Sequence, residues 1–68
     1  MKELDLHGVR YLDVDRLIST AVVNGTFPLI VITGNSARMK ELVRQIASRF
    51  HLSTRQSISN TGRLVIEE

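Results

Sequence analysis

The sequence contains no cysteine, and that absence removes two ways of stabilising a small domain. No disulfide can form, and no thiolate can bind a structural metal. His7 and His51 are too far apart in sequence for the spacing of a structural zinc site. A chain of 68 residues also buries only about 60% of its extended-chain surface. We therefore expect one domain, residues 1–68, with an aliphatic core, a small stability margin and no metal or other cofactor.

Long apolar runs are missing as well. No stretch approaches the roughly 20 apolar residues that a membrane span requires. Near the amino terminus, Glu3 and Asp5 occupy positions where a signal peptide would have basic residues followed by an apolar segment. The sequence therefore predicts a soluble, cytoplasmic protein that does not bind membranes.

The charge is small in total but unevenly distributed. A net charge of +2 does not by itself identify a nucleic-acid partner. Up to Gly34, acidic residues outnumber basic ones, whereas Glu41 is the only acidic residue between positions 35 and 66. The basic residues of that second part are Arg38, Lys40, Arg44, Arg49, Arg55 and Arg63. Such charge separation can create a local positive field, and the alternative is a solvated helix face without a partner.

The spacing of apolar residues predicts the element order β-α-β-α-β-β. The first predicted elements are a strand from Lys2 to Leu6 and a helix from about Leu12 to Asn24 that stops at Gly25. A strand from Leu29 to Thr33 and a helix with an apolar stripe from Met39 to Phe50 follow. The last two strands run from roughly Ser53 to Ser59 and from Arg63 to Glu67, and Asn60-Thr61-Gly62 joins them. Two right-handed βαβ crossovers would place both helices on one face of a four-stranded mixed sheet, a two-layer α/β (α+β) sandwich. The opposite face would be only partly covered unless a partner or a second copy packs there.

The first candidate site lies at the end of the first predicted strand. Asp5 and His7 are two residues apart, so strand alternation directs both side chains to the open face of the sheet. A carboxylate beside an imidazole can orient the ring and favour its protonated form. Such a histidine can transfer a proton near neutral pH. The structural alternative is that Asp5 caps the following helix and His7 occupies a turn.

The second candidate site is the run Gly34-Asn35-Ser36 between a strand and a helix. A glycine turn at that position exposes backbone N–H groups that suit a phosphate, and Arg38 follows closely. The alternative is an ordinary helix cap. Both candidates lie at the carboxyl ends of neighbouring parallel strands, where open α/β sheets bind ligands. Tyr11 could stack on a base, although packing is the simpler role for a single tyrosine.

Two blocks of the sequence resemble a known family. The run Leu4-Asp5-Leu6-His7-Gly8 is similar to the LDLHG signature that opens Smr (small MutS-related) domains. The run from Ile30 to Gly34 resembles the second block of that family, a strand that ends in T/H-G-x-G. The spacing of the blocks, the helix after the second block and the Asn-Thr-Gly turn also resemble the family, so the likeness covers nearly the whole chain. The chain resembles most the small, stand-alone phage-type version of the domain.

This resemblance carries implications for fold and activity. It implies a βαβαββ two-layer fold like the carboxy-terminal domain of a translation initiation factor, nucleic-acid binding and, in several members, nicking of DNA or cleavage of RNA. The Asp and His of the first block correspond to Asp5 and His7, and the glycine loop corresponds to Gly34, Asn35 and Ser36. Ser36 departs from the family, which commonly has a second glycine there. Its side chain could obstruct a phosphate, or its hydroxyl could add a hydrogen bond.

Two functions follow as hypotheses. The first is a DNA- or RNA-binding domain, whose enzymatic version is a weak endonuclease with His7 as general acid or base and Asp5 holding its tautomer. Asp5 is also the one ligand that we would name if a metal were needed. The predicted phosphate-binding residues are Gly8, Arg10, Gly34, Asn35, Ser36 and Arg38. The second function is a non-catalytic module that uses the open sheet face to bind a protein partner or a second copy. A small-molecule enzyme has little support, because a chain this short rarely encloses a deep pocket.

Overall fold

A computed structural model of the chain describes residues 2–25, 27–56 and 61–68. Its elements are β1 (Lys2–Asp5), α1 (Tyr11–Asn24), β2 (Leu29–Ile32), α2 (Ala37–Arg49), β3 (Ser53–Gln56) and β4 (Arg63–Glu67). Within these residues the fold is α+β, with two helices and a four-stranded mixed sheet, which confirms the predicted order. The first two strands each end one residue earlier than predicted. The predicted continuation of the third strand to residue 59 and the turn residue 60 lie outside the described residues.

The sheet has the strand order β1-β2-β4-β3. β1 and β2 are parallel, whereas β4 is antiparallel to both of its neighbours, β2 and β3. In the register, Leu4 lies opposite Val31, and Val31 lies opposite Leu64. Because β1 and β2 run in the same direction, the loops that follow them leave the sheet at the same edge.

One face of the sheet packs against both helices. The buried cluster consists of Leu6, Val14, Ile18, Leu29, Val31, Met39, Val43, Ile46, Ala47, Leu64 and Ile66. It combines alternate residues of β2 and β4 with the inner faces of α1 and α2, so both helices cover the same side of the sheet. Burial of these aliphatic side chains is the main stabilising contribution, as the absence of disulfides requires.

The opposite face of the sheet has an apolar centre beneath two ion pairs. That centre consists of Ile30, Ile32 and Val65. Arg63 Nη1 lies 3.3 Å from Glu3 Oε2, so this ion pair crosses over β2. Arg55 Nε lies 3.1 Å from Glu67 Oε1 on the far side of β4. Val65 is consequently only 8% exposed, although no helix covers this face in the part of the chain that the structure describes.

Both helices end in a left-handed residue. α1 stops at Gly25 with φ 73°, which confirms the predicted stop. α2 ends in a Schellman motif, in which Leu52 N–H donates to Ala47 O at 3.1 Å and His51 N–H donates to Ser48 O at 3.0 Å. His51 has φ 60°, a conformation that usually belongs to glycine.

No helix within residues 2–25, 27–56 and 61–68 is long and apolar enough to cross a membrane.

Candidate nucleic-acid interface

The loops that follow β1 and β2 form the walls of a cleft at the carboxyl edge of the sheet. The cleft is lined by Leu6, His7, Gly8, Val9, Arg10, Tyr11, Thr33, Gly34, Asn35, Ser36 and Met39. It therefore brings His7, Gly8 and Arg10 of the first loop together with residues 34–36 of the second. The amino termini of α1 and α2 open at the same edge. Asp5 does not line the cleft, and Arg38 reaches it only through Tyr11, as described below.

Asp5 and His7 do not continue one strand. β1 ends at Asp5, and His7 lies in the turn that follows. The backbone N–H of His7 donates to Asp5 Oδ1 at 2.9 Å. Among the described residues, the Asp5 carboxylate makes no hydrogen bond to the imidazole. Asp5 thus takes the structural role considered above, with the difference that it caps the turn and not the helix.

The imidazole of His7 lies against the second loop. Gly34 has φ 65°, and a Cβ built on it would lie 3.4 Å from Cδ2 of His7. Glycine at position 34 therefore provides the left-handed backbone of the turn, and the ring of His7 lies beside it. Both residues line the cleft, where no hydrogen bond among the described residues joins the ring of His7 to a carboxylate.

The second loop is anchored to the turn that precedes β4. The carbonyl oxygen of Gly62 accepts hydrogen bonds from Thr33 N at 2.8 Å and Gly34 N at 3.0 Å. The Thr33 hydroxyl, which is buried, donates to the same oxygen at 3.2 Å. Thr61 Oγ1 donates to Asn35 Oδ1 at 3.3 Å. These bonds fix the floor of the cleft and place Asn35 at its exposed end.

Ser36 is the N-cap of α2. Its hydroxyl accepts a hydrogen bond from Met39 N at 3.1 Å, and its carbonyl accepts from Lys40 N at 3.1 Å. The hydroxyl therefore serves the helix itself, because it occupies one of the amides that a glycine would leave free. The amides of Ala37 and Arg38 have no acceptor within the described part of the chain, and such groups at a helix amino terminus attract anions.

Ion pairs neutralise half of the cations that the sequence concentrates after residue 35. Three of these cations have carboxylate partners: Arg49 with Asp15, Arg55 with Glu67 and Arg63 with Glu3. In the first loop, Arg10 is paired with Asp13. Among the side chains that the structure describes, the cations without a carboxylate partner are Arg38, Lys40 and Arg44. All three belong to α2, so the positive charge that remains is concentrated on the helix whose amino terminus faces the cleft.

One of these ion pairs joins the two helices. Arg49 Nη2 lies 2.7 Å from Asp15 Oδ2, and the Ser19 hydroxyl donates to Asp15 Oδ1 at 3.0 Å. The Arg49 guanidinium and the Ser19 hydroxyl both hold the pKa of Asp15 below its usual value. Arg49 therefore already has a carboxylate partner, and the pair links α2 to α1.

Tyr11, the first residue of α1, stands at the rim of the cleft. Its hydroxyl lies 3.3 Å from Ser36 Oγ. The Arg38 guanidinium carbon lies 4.8 Å from the centre of its ring, a cation–π contact. Tyr11 was not among the predicted phosphate-binding residues, because its partners Ser36 and Arg38 are more than 20 residues away in the chain. The sequence feature that could have identified Tyr11 is its position, since the first turn of α1 must lie at the same edge of the sheet as the Gly34 loop.

Within residues 2–25, 27–56 and 61–68, no group of three or more His, Cys, Asp or Glu side chains is arranged to hold a metal ion.

Comparison of the chain with protein-family models, curated proteins and solved structures gave no match. The resemblance to Smr domains thus rests on residues 4–8 and 30–34, on their spacing, and on the helix and Asn-Thr-Gly turn that follow, and it stays a prediction.

Proposed function

We propose that the chain is a nucleic-acid-binding domain that holds the phosphate backbone of DNA or RNA at the cleft. One observation carries the proposal. Among the side chains that the structure describes, the cations without a carboxylate partner are Arg38, Lys40 and Arg44, which all lie on α2. The first turn of that helix has amides at the cleft with no acceptor in the same described part of the chain. Positive side chains, the helix dipole and free N–H groups all favour an anion there. The resemblance of the two sequence blocks to Smr domains supports the same function.

A polymer suits these three cations better than a single phosphate, because at about 3.6 residues per turn Arg38 lies on one flank of α2 and Lys40 and Arg44 lie on the other. From Arg38 to Arg44 the helix rises about 9 Å at 1.5 Å per residue. A nucleic-acid strand carries about one charge per 3.4 Å of its axis, so it presents more than one phosphate over that length. A free phosphate would use only the first turn.

The dependence of affinity on salt tests this proposal. Labelled RNA, single-stranded DNA and double-stranded DNA would be titrated with the protein while fluorescence anisotropy is recorded at several salt concentrations. If the three unpaired cations each contact one phosphate, affinity for a single strand should fall about 20-fold between roughly 50 and 200 mM salt. An affinity that does not change with salt would contradict the proposal.

Single substitutions test which cations contact the phosphates. Each of Arg38→Gln, Lys40→Gln and Arg44→Gln should reduce the slope of log affinity against log salt by up to about one unit. Arg55→Gln is the matched control. It removes the same charge from an exposed ion pair on the opposite face of the sheet, so its slope should equal that of the wild type. An equal loss in Arg55→Gln would show that only total charge is measured.

Phosphodiester cleavage is a second candidate activity, favoured by the position of the His7 ring in the cleft beside Gly34. In this version His7 is the general acid or base, and the loop rather than Asp5 orients it. The test is to incubate labelled RNA, single-stranded DNA and double-stranded DNA with the wild type and with His7→Ala. Cleavage that is lost in His7→Ala while binding persists supports the role. Cleavage that persists excludes it, and binding without cleavage by the wild type identifies a binding domain alone.

The interaction module on the open sheet face stays a prediction as the alternative function. Sedimentation of the chain at several concentrations tests it. A dimer would support pairing of two copies through this face, whereas a monomer would leave the open face without a second copy.

A further inference from the structure

We propose that Tyr11 and Arg38 form a platform for one unpaired base, so that the ligand of the cleft is single-stranded nucleic acid. This inference rests on the proposed function, because it assumes that the cleft holds a phosphate backbone. It adds what the phosphate contacts cannot supply, a means of distinguishing a single strand from a duplex.

The pair is preorganised. The Tyr11 hydroxyl is held at Ser36 Oγ, 3.3 Å away, and the Arg38 guanidinium lies 4.8 Å from the centre of the ring. Tyr11 is 44% exposed. Arg38 is exposed and has no carboxylate partner among the described residues, so nothing within the described chain fixes the outer side of its guanidinium. Guanidinium planes and aromatic rings are both surfaces on which unstacked bases pack.

Arg38 also connects the platform to the phosphate site. Its backbone amide is one of the two at the start of α2 that have no acceptor among residues 2–25, 27–56 and 61–68, and its side chain extends to Tyr11. A phosphate bound at that amide is joined to its base by a single sugar, which brings the base to the guanidinium. The resulting order is ring, guanidinium, base. In a duplex the same base is paired and stacked on its neighbours, so it reaches the platform only at the cost of breaking those contacts.

The experiment compares ligands that differ only in their bases. Oligothymidine of about 12 nucleotides, an abasic strand of equal length and charge, and a duplex of equal length are each titrated at one salt concentration. Oligouridine serves as the RNA counterpart of the first ligand. We expect the wild type to bind both base-bearing single strands about tenfold tighter than the abasic strand, which is within the range for stacking of one base.

Variants assign that difference to the platform. Tyr11→Ala and Arg38→Lys should each bring the affinity for oligothymidine close to that for the abasic strand, and Tyr11→Phe should restore the preference. Arg38→Lys keeps the positive charge and removes the planar group. Because Arg38 is exposed, this variant also preserves the test if Tyr11→Ala does not fold. Leu12→Ala is the control, since Leu12 is 75% exposed in the same helical turn and does not line the cleft.

The outcomes separate the two proposals. If the wild type binds the abasic strand as tightly as oligothymidine, the platform is excluded and the phosphate site stands. The platform is also excluded if Tyr11→Ala weakens binding to both strands by the same factor, or if the duplex binds most tightly. If no strand binds in a salt-dependent way, the proposed function fails and the platform fails with it.

Discussion

Replacing Ser36 tests how the start of α2 is built and whether it receives an anion. The Ser36 hydroxyl accepts from Met39 N at 3.1 Å, and this bond is partly buried. Ser36→Ala removes the acceptor and leaves the Met39 amide without a partner. Ser36→Gly removes it as well, but glycine is itself a favourable N-cap because the exposed backbone can be solvated.

The size of the effect follows from this one bond. Loss of an N-cap serine to alanine costs about 1 kcal/mol of unfolding free energy, and loss to glycine costs only a few tenths. The second contact of the hydroxyl, with Tyr11 at 3.3 Å, is exposed and contributes little. For a domain of this size, about 1 kcal/mol corresponds to a fall in Tm of about 4 to 8 °C. Ser36→Ala should therefore melt several degrees below Ser36→Gly.

Thermal and urea unfolding monitored by circular dichroism provide the assay. Ser48→Ala is the matched control, because Ser48 is an exposed serine in the last turn of the same helix. Alanine is the better helix former there, so the Tm of this variant should equal or slightly exceed that of the wild type. If Ser36→Ala melts at the same temperature as the wild type, the hydroxyl does not cap α2 and the reasoning is refuted.

The same variants report on the anion site. Both Ser36→Gly and Ser36→Ala free the Met39 amide for a phosphate, so at a temperature where they are fully folded each should bind the abasic strand, which makes no contact with the Tyr11 platform, at least as tightly as the wild type. Weaker binding by both would mean that the hydroxyl itself contacts the phosphate.

Three further changes test other parts of the structure. His51→Gly should raise the unfolding free energy by about 0.5 to 1 kcal/mol, measured in urea, because φ 60° is strained for any residue with a Cβ; an unchanged midpoint would contradict the left-handed conformation. Gly34→Ala should destabilise the fold by about 1 to 2 kcal/mol in urea unfolding, and by about as much as Gly8→Ala, because both glycines have a left-handed backbone, with φ 65° and φ 79°; an unchanged midpoint would contradict that conformation. Because the folded pKa of Asp15 is lowered, its contribution is present above the unfolded pKa of about 3.9 and is lost as pH falls through the folded value. The stability difference between the wild type and Asp15→Asn should therefore shrink in acid, and a difference independent of pH would show that the carboxylate does not act through its charge.

The fold was predictable because each element carries its own local pattern. Alternating residues identify β1, the spacing of Val14 and Ile18 identifies α1, and Gly25 marks the end of that helix. Right-handed crossovers then leave few arrangements for four short strands. The end of α2 was harder to predict from the sequence. His51 adopts the left-handed conformation there, whereas glycine and asparagine are the residues that usually mark it.

The candidate site was only partly predictable. Its location at the ends of β1 and β2 follows from topology, but the partners of its side chains do not. Strand alternation predicts which face Asp5 occupies and cannot decide whether its carboxylate binds a ring or a backbone amide. The cations posed the same difficulty, since the partner of Arg63 is Glu3, 60 residues earlier. Only the folded chain shows which positive charges are already neutralised.

The anchoring of the second loop limits where this site can be transplanted. Gly62 holds Thr33 and Gly34 through its carbonyl oxygen, and it lies just before the last strand. A peptide or graft that carries residues 4–36 would contain both sequence blocks, yet it would lack the acceptor that shapes the loop after β2. The two sequence blocks alone therefore do not encode the cleft. A scaffold that carries the blocks forms the cleft only if it also carries the segment with Gly62 and β4.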